Sequence, residues 1–324
     1  MTSPHRIAVL SAWHVHAEEY GRAAQEHPDT ELVALWDDDA TRGQEMADKL
    51  GVEFVPSLDD LLARDDLDGV TVTTATTAHS EVIGAAIAAG KHIFTEKLLA
   101  PTVEECDRLV EAAREKGVAL TVSLPRLFHG YTLALRAVLD SGELGDLTYS
   151  RVRLSHNGSV ADWLPARFYD AKDTIGGAFT DLGAHPVYLT NLILGGENAD
   201  GRYASVRSTF TDVTGRGVED NASVTVSTEA GAIGVLETGF VSGLSPFSIE
   251  IEGTRGGLRY GFEGRTMTVT SREGSRSVEV PEDAATPFQR WVTDLQSGTP
   301  VNETLAPARA LTALLVAANA AAAH

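Results

Sequence analysis

The chain has 324 residues, enough for two ordinary domains, and its 43% hydrophobic content without Gly/Ser, Pro or Gln tracts excludes a disordered polypeptide. Acidic side chains outnumber basic ones 46 to 26, a formal charge of -20, so polyanions are repelled over most of the surface and nucleic acid is not an expected partner. A single cysteine, Cys106, excludes an internal disulfide.

The first 123 residues alternate short β-rich runs with helical patterns. "RIAVLS" (6–11) begins almost at once, which leaves no room for a secretory leader and makes the cytoplasm the expected location. A helix follows to about His27 and is stopped by Pro28. "ELVALW" (31–36) leads into a helix with an acidic start and Gly51 at its end. A short strand near Phe54, a helix over "SLDDLLARDD", the strand "GVTVTT" (69–74) and a helix over 79–90 come next. Strand 91–96, helix 102–117 and strand 118–123 complete the series. Near-continuous apolar strands alternating with helices predict a doubly wound α/β domain over 1–123, its parallel sheet covered on both faces.

From 124 to 324 the pattern is that of an α+β domain. A helix over 132–142 precedes the strand "TYSRVRLSH" (148–156), an irregular stretch and a helix around 181–195. Alternating runs between 201 and 280, several joined by Gly-containing turns, predict a large, mostly antiparallel open sheet. Two helical segments, over 284–298 and 305–324, end the chain. The apolar stretch 310–323 falls short of the roughly 20 residues of a spanning helix. It reads as a buried helix, and no membrane partner is expected.

In a doubly wound sheet, ligands sit beyond the carboxyl ends of the strands where the strand order reverses. The informative residues therefore follow each strand. After the first comes "SAWHVHA", after the second Asp37, after the fourth "TATTAH" and after the fifth "EKLLAP". Asp37 lies 26 positions after Ser11, near the spacing at which a carboxylate meets the ribose hydroxyls of NAD, although "DDD" also suits the start of the next helix. Asp38 stands where NADP would want an arginine, so NAD is expected over NADP. Lys97, beside Glu96, is placed to donate to a substrate hydroxyl, although most such Glu-Lys pairs are solvated surface pairs. In the second half, Asp181 and His185 are four apart, so on one helix face the carboxylate orients the imidazole; an N-cap beside a satisfied histidine is the plainer alternative. Gly176, Gly177 and Gly183 allow close approach of a ligand or of another segment.

Together, "AAIAAGKHIFTEKLLAPT" and "GGAFTDLGAHPVYL" in this domain order resemble the Gfo/Idh/MocA family, the glucose-fructose oxidoreductase and inositol dehydrogenase group, over nearly the whole chain. The resemblance implies a Rossmann-like domain and NAD(P)-dependent hydride transfer at a carbinol carbon of a sugar, cyclitol or related polyol. It implies Lys97, Asp181 and His185 as the reacting set, with His185 the general acid/base. Ser11, Trp13, His14, Val15, Asp37, Thr74, His79, Glu96 and Lys97 would meet the cofactor. Arg126, Asp162, Trp163, Arg167 and His185 would meet the substrate. Family packing suggests a homodimer or homotetramer through the second-domain sheet.

Three departures stand out. Leu98 replaces the family's proline after "EK", Tyr188 replaces an Asp three residues after the histidine, and Ser11, Trp13 and His16 replace small residues of the glycine fingerprint. A Cβ at the second of those positions obstructs backbone approach to pyrophosphate, which leaves His14 or His16 to stand in as phosphate donors. His14-x-His16 is also a zinc-hydrolase spacing, but without the further ligands of a barrel no metal is expected. His79 fits either a cofactor contact or a helix cap. Two other readings keep the fold: a binder or sensor without turnover, and NAD-dependent glycoside cleavage.

Overall fold

A computed structural model describes residues 3–195, 200–262, 264–298 and 303–322. Within it lie two compact units, residues 1–123 with 285–305, and residues 124–284 with 306–324.

The apolar runs of the first half become β1 (His5–Leu10), β2 (Thr30–Trp36), β3 (Glu53–Phe54), β4 (Gly69–Val72), β5 (His92–Thr95) and β6 (Leu120–Val122). Helices α1 (Ala17–Glu26), α2 (Ala40–Leu50), α3 (Leu58–Leu62), α4 (His79–Ala88) and α5 (Val103–Lys116) alternate with them. The sheet is parallel in the order β3-β2-β1-β4-β5-β6, so the order reverses between β1 and β4, and ligand sites are expected at that switch point. Local chemistry sets the helix limits. Asp39 caps α2 by accepting from the amides of Thr41 and Arg42, and Gly51 ends it in the left-handed region at φ 68°. Thr102 and Gly117 do the same for α5.

The second unit contains α6 (Gly130–Ser141), β7 (Leu147–Ser155), α7 (Ala171–Thr174) and α8 (Ala184–Gly195). The alternating runs form β8 (Ser205–Thr211), β9 (Asn221–Ser227), β10 (Ile233–Gly239), β11 (Phe247–Gly253), β12 (Gly256–Tyr260), β13 (Met267–Ser271) and β14 (Gly274–Val278). The eight strands run β14-β13-β12-β11-β7-β10-β9-β8, antiparallel except where β7 lies parallel to β10. The sheet is therefore mixed and mostly antiparallel.

Helix α9 (Pro287–Ser297) opens with a capping box between Thr286 and Gln289. It completes the core of the first unit. Phe288 and the fully buried Trp291 meet the Phe94 ring at centroid distances of 5.4 and 5.9 Å, in one cluster with Ile7, Val9 and Tyr20. Helix α10 (Leu305–Ala322) is long and apolar enough to cross a membrane by length and composition. In the second unit its Leu311, Leu314, Leu315 and Ala318 are buried, and Ser208 of β8 donates to the Ala318 carbonyl. Positions 323 and 324 of the expected terminal helix lie outside the described residues.

Candidate active site

At the end of β1, Ser11 takes φ 73°, the left-handed conformation that a first fingerprint glycine would hold. Its hydroxyl compensates by donating to Asp37 (3.2 Å) and accepting from the Trp13 amide (3.1 Å). Most of the turn's amides are engaged within the protein. Ser11 N–H goes to the Trp36 carbonyl, Ala12 N–H to Asp37 (2.6 Å), His14 N–H to the Thr73 carbonyl, His16 N–H to His14 Nδ1 and Ala17 N–H to the His14 carbonyl. Helix α1 starts only at Ala17, with His16 at its N-cap. Trp13 and His14 are buried, Val15 is exposed and His16 is partly exposed.

The three aspartates divide their work. Asp37 is buried, and besides the Ala12 amide it accepts from Asp39 N–H (2.8 Å) and from Arg42 through Nε (3.0 Å) and Nη2 (2.5 Å). Burial raises its pKa, but the Arg42 guanidinium and the two amides outweigh that and hold the carboxyl below its usual value. Asp39 caps α2. Like Asp39, Asp38 is exposed, its side chain 67% accessible and its Oδ1 2.6 Å from Arg42 Nη2. The position expected to meet ribose hydroxyls, Asp37, is thus occupied inside the protein, and its neighbour offers an accessible acid.

At the end of β5, Glu96 and Lys97 are both buried, Lys97 Nζ lying 3.9 Å from Glu96 Oε1. The Lys97–Leu98 peptide is cis. Glu96 Oε2 accepts from His16 Nδ1–H at 3.0 Å and from the Tyr20 hydroxyl. Burial works against the charged form of Glu96, yet His14, His16 and Lys97 together hold it ionised well below the ordinary carboxylate range. The same carboxylate overcomes the effect of burial on His16 and raises its pKa. A ring nitrogen of His14, a ring nitrogen of His16 and a Glu96 oxygen all lie within 4.8 Å of one another. His79, at the start of α4, donates from Nδ1 to the Leu98 carbonyl (2.5 Å), and burial pushes its pKa down to about 4. Its Nε2 and the Thr74 hydroxyl are buried without a hydrogen-bond partner. Such orphans at the sheet's carboxyl edge are groups that a bound ligand would satisfy.

In the second unit, α8 begins at Ala184, so Asp181 sits in the preceding turn and not on one helix face with His185. The turn folds tightly because Gly183 packs on the Phe179 backbone, where a Cβ would come within 2.4 Å of the carbonyl oxygen. The His185 Nδ1 bond is made with the Tyr188 hydroxyl at 2.8 Å, one helical turn on. That oxygen also accepts from Arg126 N–H (3.2 Å), and the Arg126 guanidinium lies over the Phe247 ring at 4.5 Å. Asp181 acts electrostatically on His156, raising its pKa against the larger lowering by burial. His156 stacks on Phe240 at 4.8 Å and meets the half-exposed Trp163 at 4.7 Å. Asp162 pairs with Arg216 (2.7 Å), and Arg167 lies 6.0 Å from the Phe168 ring. The close approach allowed by Gly177 is to another segment: a Cβ there would stand 2.0 Å from the Glu219 carbonyl oxygen.

Sequence reasoning missed Tyr20, His156 and Arg216. Tyr20 has a local signal, since a helix facing a strand-end carboxylate can supply a hydroxyl. His156 follows β7 as the other site residues follow their strands. Arg216 lies in a loop and has none.

A model of the oxidoreductase family with NAD-binding Rossmann fold matches residues 7–124, and one of the GFO/IDH/MocA C-terminal domain matches 132–259. The 1,5-anhydro-D-fructose reductase of Ensifer adhaerens is 29% identical over 264 residues, 80% of this chain and 78% of that one. The scyllo-inositol 2-dehydrogenase (NAD(+)) of Bacillus subtilis is 27% identical, covering 83% and 78%. Among solved structures, GenD2 from gentamicin A biosynthesis in complex with NAD superposes with a TM-score of 0.82 at 25% identity, covering 100% of this chain and 95% of that one. KijD10, a 3-ketoreductase from Actinomadura kijaniata in complex with TDP-benzene and NADP, shares the fold at 22% identity and TM-score 0.77, covering 97% and 96%.

Proposed function

The chain belongs to the GFO/IDH/MocA oxidoreductase family, and on that footing we propose that it transfers a hydride between NAD and a carbinol carbon of a sugar, cyclitol or related polyol. The observation that carries this reading is Lys97, a lysine buried beside the ionised Glu96 at the carboxyl end of β5 in an NAD(P)-binding Rossmann fold. A buried ammonium is costly unless balanced, and one balanced by a carboxylate 3.9 Å away keeps its charge for a developing alkoxide. Relatives named as a sugar reductase and an inositol dehydrogenase support the substrate class.

The residues present fit a dinucleotide in part. The accessible carboxylate of Asp38 suits a ribose diol, and the orphaned Thr74 hydroxyl and His79 Nε2 lie at the ligand edge of the sheet. With most of the turn's amides engaged within the protein, the partly exposed His16 is a group that meets diphosphate charge. When bound, NAD supplies the hydride acceptor. His185 takes the hydroxyl proton. In the tautomer whose Nδ1–H donates to the Tyr188 hydroxyl, which also accepts from Arg126 N–H, His185 Nε2 is the proton acceptor. Lys97 donates to the substrate oxygen as its proton departs, Asp181 adds negative charge near His156, and the Trp163 face receives the C–H side of a polyol ring.

The test is a titration with NAD and NADP, followed by a polyol panel read by NADH absorbance. NAD binds more tightly, and His185→Ala lowers kcat by about 10²–10⁴. Undiminished activity in His185→Ala rejects the base. The amides engaged within the turn favour a second reading, a ligand binder without turnover; failure of both dinucleotides to bind would select it.

A further inference from the structure

We propose that His14, His16 and Glu96 form a binding site for a divalent transition-metal ion of the zinc class. The inference goes beyond the oxidoreductase reading and does not rest on it. Two imidazoles and one carboxylate, with ligating atoms all within 4.8 Å of one another, make a set that zinc and its neighbours favour, and the two nitrogens disfavour calcium and magnesium. Metal–ligand bonds of about 2.0–2.2 Å put tetrahedral ligands roughly 3.4 Å apart, so closing the site takes small side-chain rotations and no change of fold.

The donors are held in place by the surrounding structure. His14 is pinned through its own amide to the Thr73 carbonyl (2.9 Å) and through its carbonyl to Ala17 N–H (3.1 Å). Glu96 is buried at the end of β5, and the Tyr20 hydroxyl fixes its Oε2, as outer-shell donors fix metal-bound carboxylates. Lys97 approaches the other oxygen, Oε1, leaving the His16 side for the ion. The His16 side chain is 36% exposed, which provides the entry path and room for non-protein ligands. A bound ion would add positive charge at the end of β1.

Full-length protein stripped with chelator and titrated with Co²⁺ and Zn²⁺, without dinucleotide, tests this. Expected are one tightly held equivalent per chain and the visible d–d bands of low-symmetry four- or five-coordinate Co²⁺. Tyr20→Phe, which keeps the ring and removes the hydroxyl, weakens binding by about 10–100-fold. His16→Ala, at a partly exposed position, weakens it further, while His5→Ala leaves it unchanged; circular dichroism and melting verify that each variant is folded. Less than one equivalent in the wild-type chain, or equal binding by folded His16→Ala, overturns the proposal. Because dinucleotide affinity is measured separately on the stripped chain, failure of the metal site and failure of the oxidoreductase reading give different results.

Discussion

Substituting the neighbouring aspartates one at a time separates a structural carboxylate from a ligand-facing one. Asp37→Ala removes a buried acceptor used by two amides, the Ser11 hydroxyl and two nitrogens of Arg42. Breaking a buried charge pair costs about 3–5 kcal/mol, and each stranded buried amide about 1–3 kcal/mol. Arg42 keeps its contact with Asp38 and is 22% exposed, so part of its charge relaxes into solvent. The net expectation is about 4 kcal/mol, a fall in melting temperature of roughly 10 °C. Asp38→Ala touches an exposed pair and costs at most about 1 kcal/mol. Its effect is on the cofactor: losing a charged hydrogen bond to a ribose diol weakens NAD by roughly tenfold, and Arg42, relieved of one carboxylate, improves binding of NADP. Thermal melts with parallel NAD and NADP titrations read both effects. If Asp37→Ala melts like wild type and loses NAD, Asp37 is the ribose ligand and the division of labour argued from its burial is refuted.

Two further outcomes follow from single buried groups. His79 has a folded pKa of about 4 against about 6.5 unfolded, so its contribution is fully present above pH 6.5 and is lost as pH falls through that window. Wild type therefore loses about 3 kcal/mol more than His79→Asn between pH 6.5 and 4 in urea unfolding, whereas His16, raised by Glu96, has the opposite sign and stabilises below its unfolded pKa. A flat difference between the two proteins contradicts the burial of a neutral imidazole. Tyr188→Phe removes only the hydroxyl that holds His185 and accepts from Arg126 N–H; kcat falls by about 10–100-fold with a displaced pH profile, and an unmoved profile would make Tyr188 merely structural.

Much of the molecule is legible from its residues in order. Strand-helix alternation, Gly51 and Gly117 as helix stops, and the alternating runs after 201 follow from local periodicity and backbone preference, and each became an element near its expected place. The residues at the carboxyl end of the first sheet were equally readable, because Ser11, Thr74 and Lys97 follow strands. Local signals also set limits. "DDD" announces a helix start, but nothing in three identical side chains says which one turns inward.

The tertiary structure decided what depends on residues far apart in the chain. Asp37 is buried and held from within because Ala12, 25 positions earlier, aims an amide at it. Parallel pairing of β7 with β10 and the packing of α9 on Phe94 join segments whose own patterns do not name a partner. At His185, four-residue spacing favoured Asp181, yet a tight glycine turn delays the helix and gives Nδ1 to Tyr188. The loop that lost its glycines keeps the glycine conformation at Ser11 and gathers two histidines against a carboxylate 80 residues away. Residue type and spacing determine which chemistry is available; burial and long-range hydrogen bonding determine which side chain is left to perform it, because a buried polar group must first be satisfied within the protein.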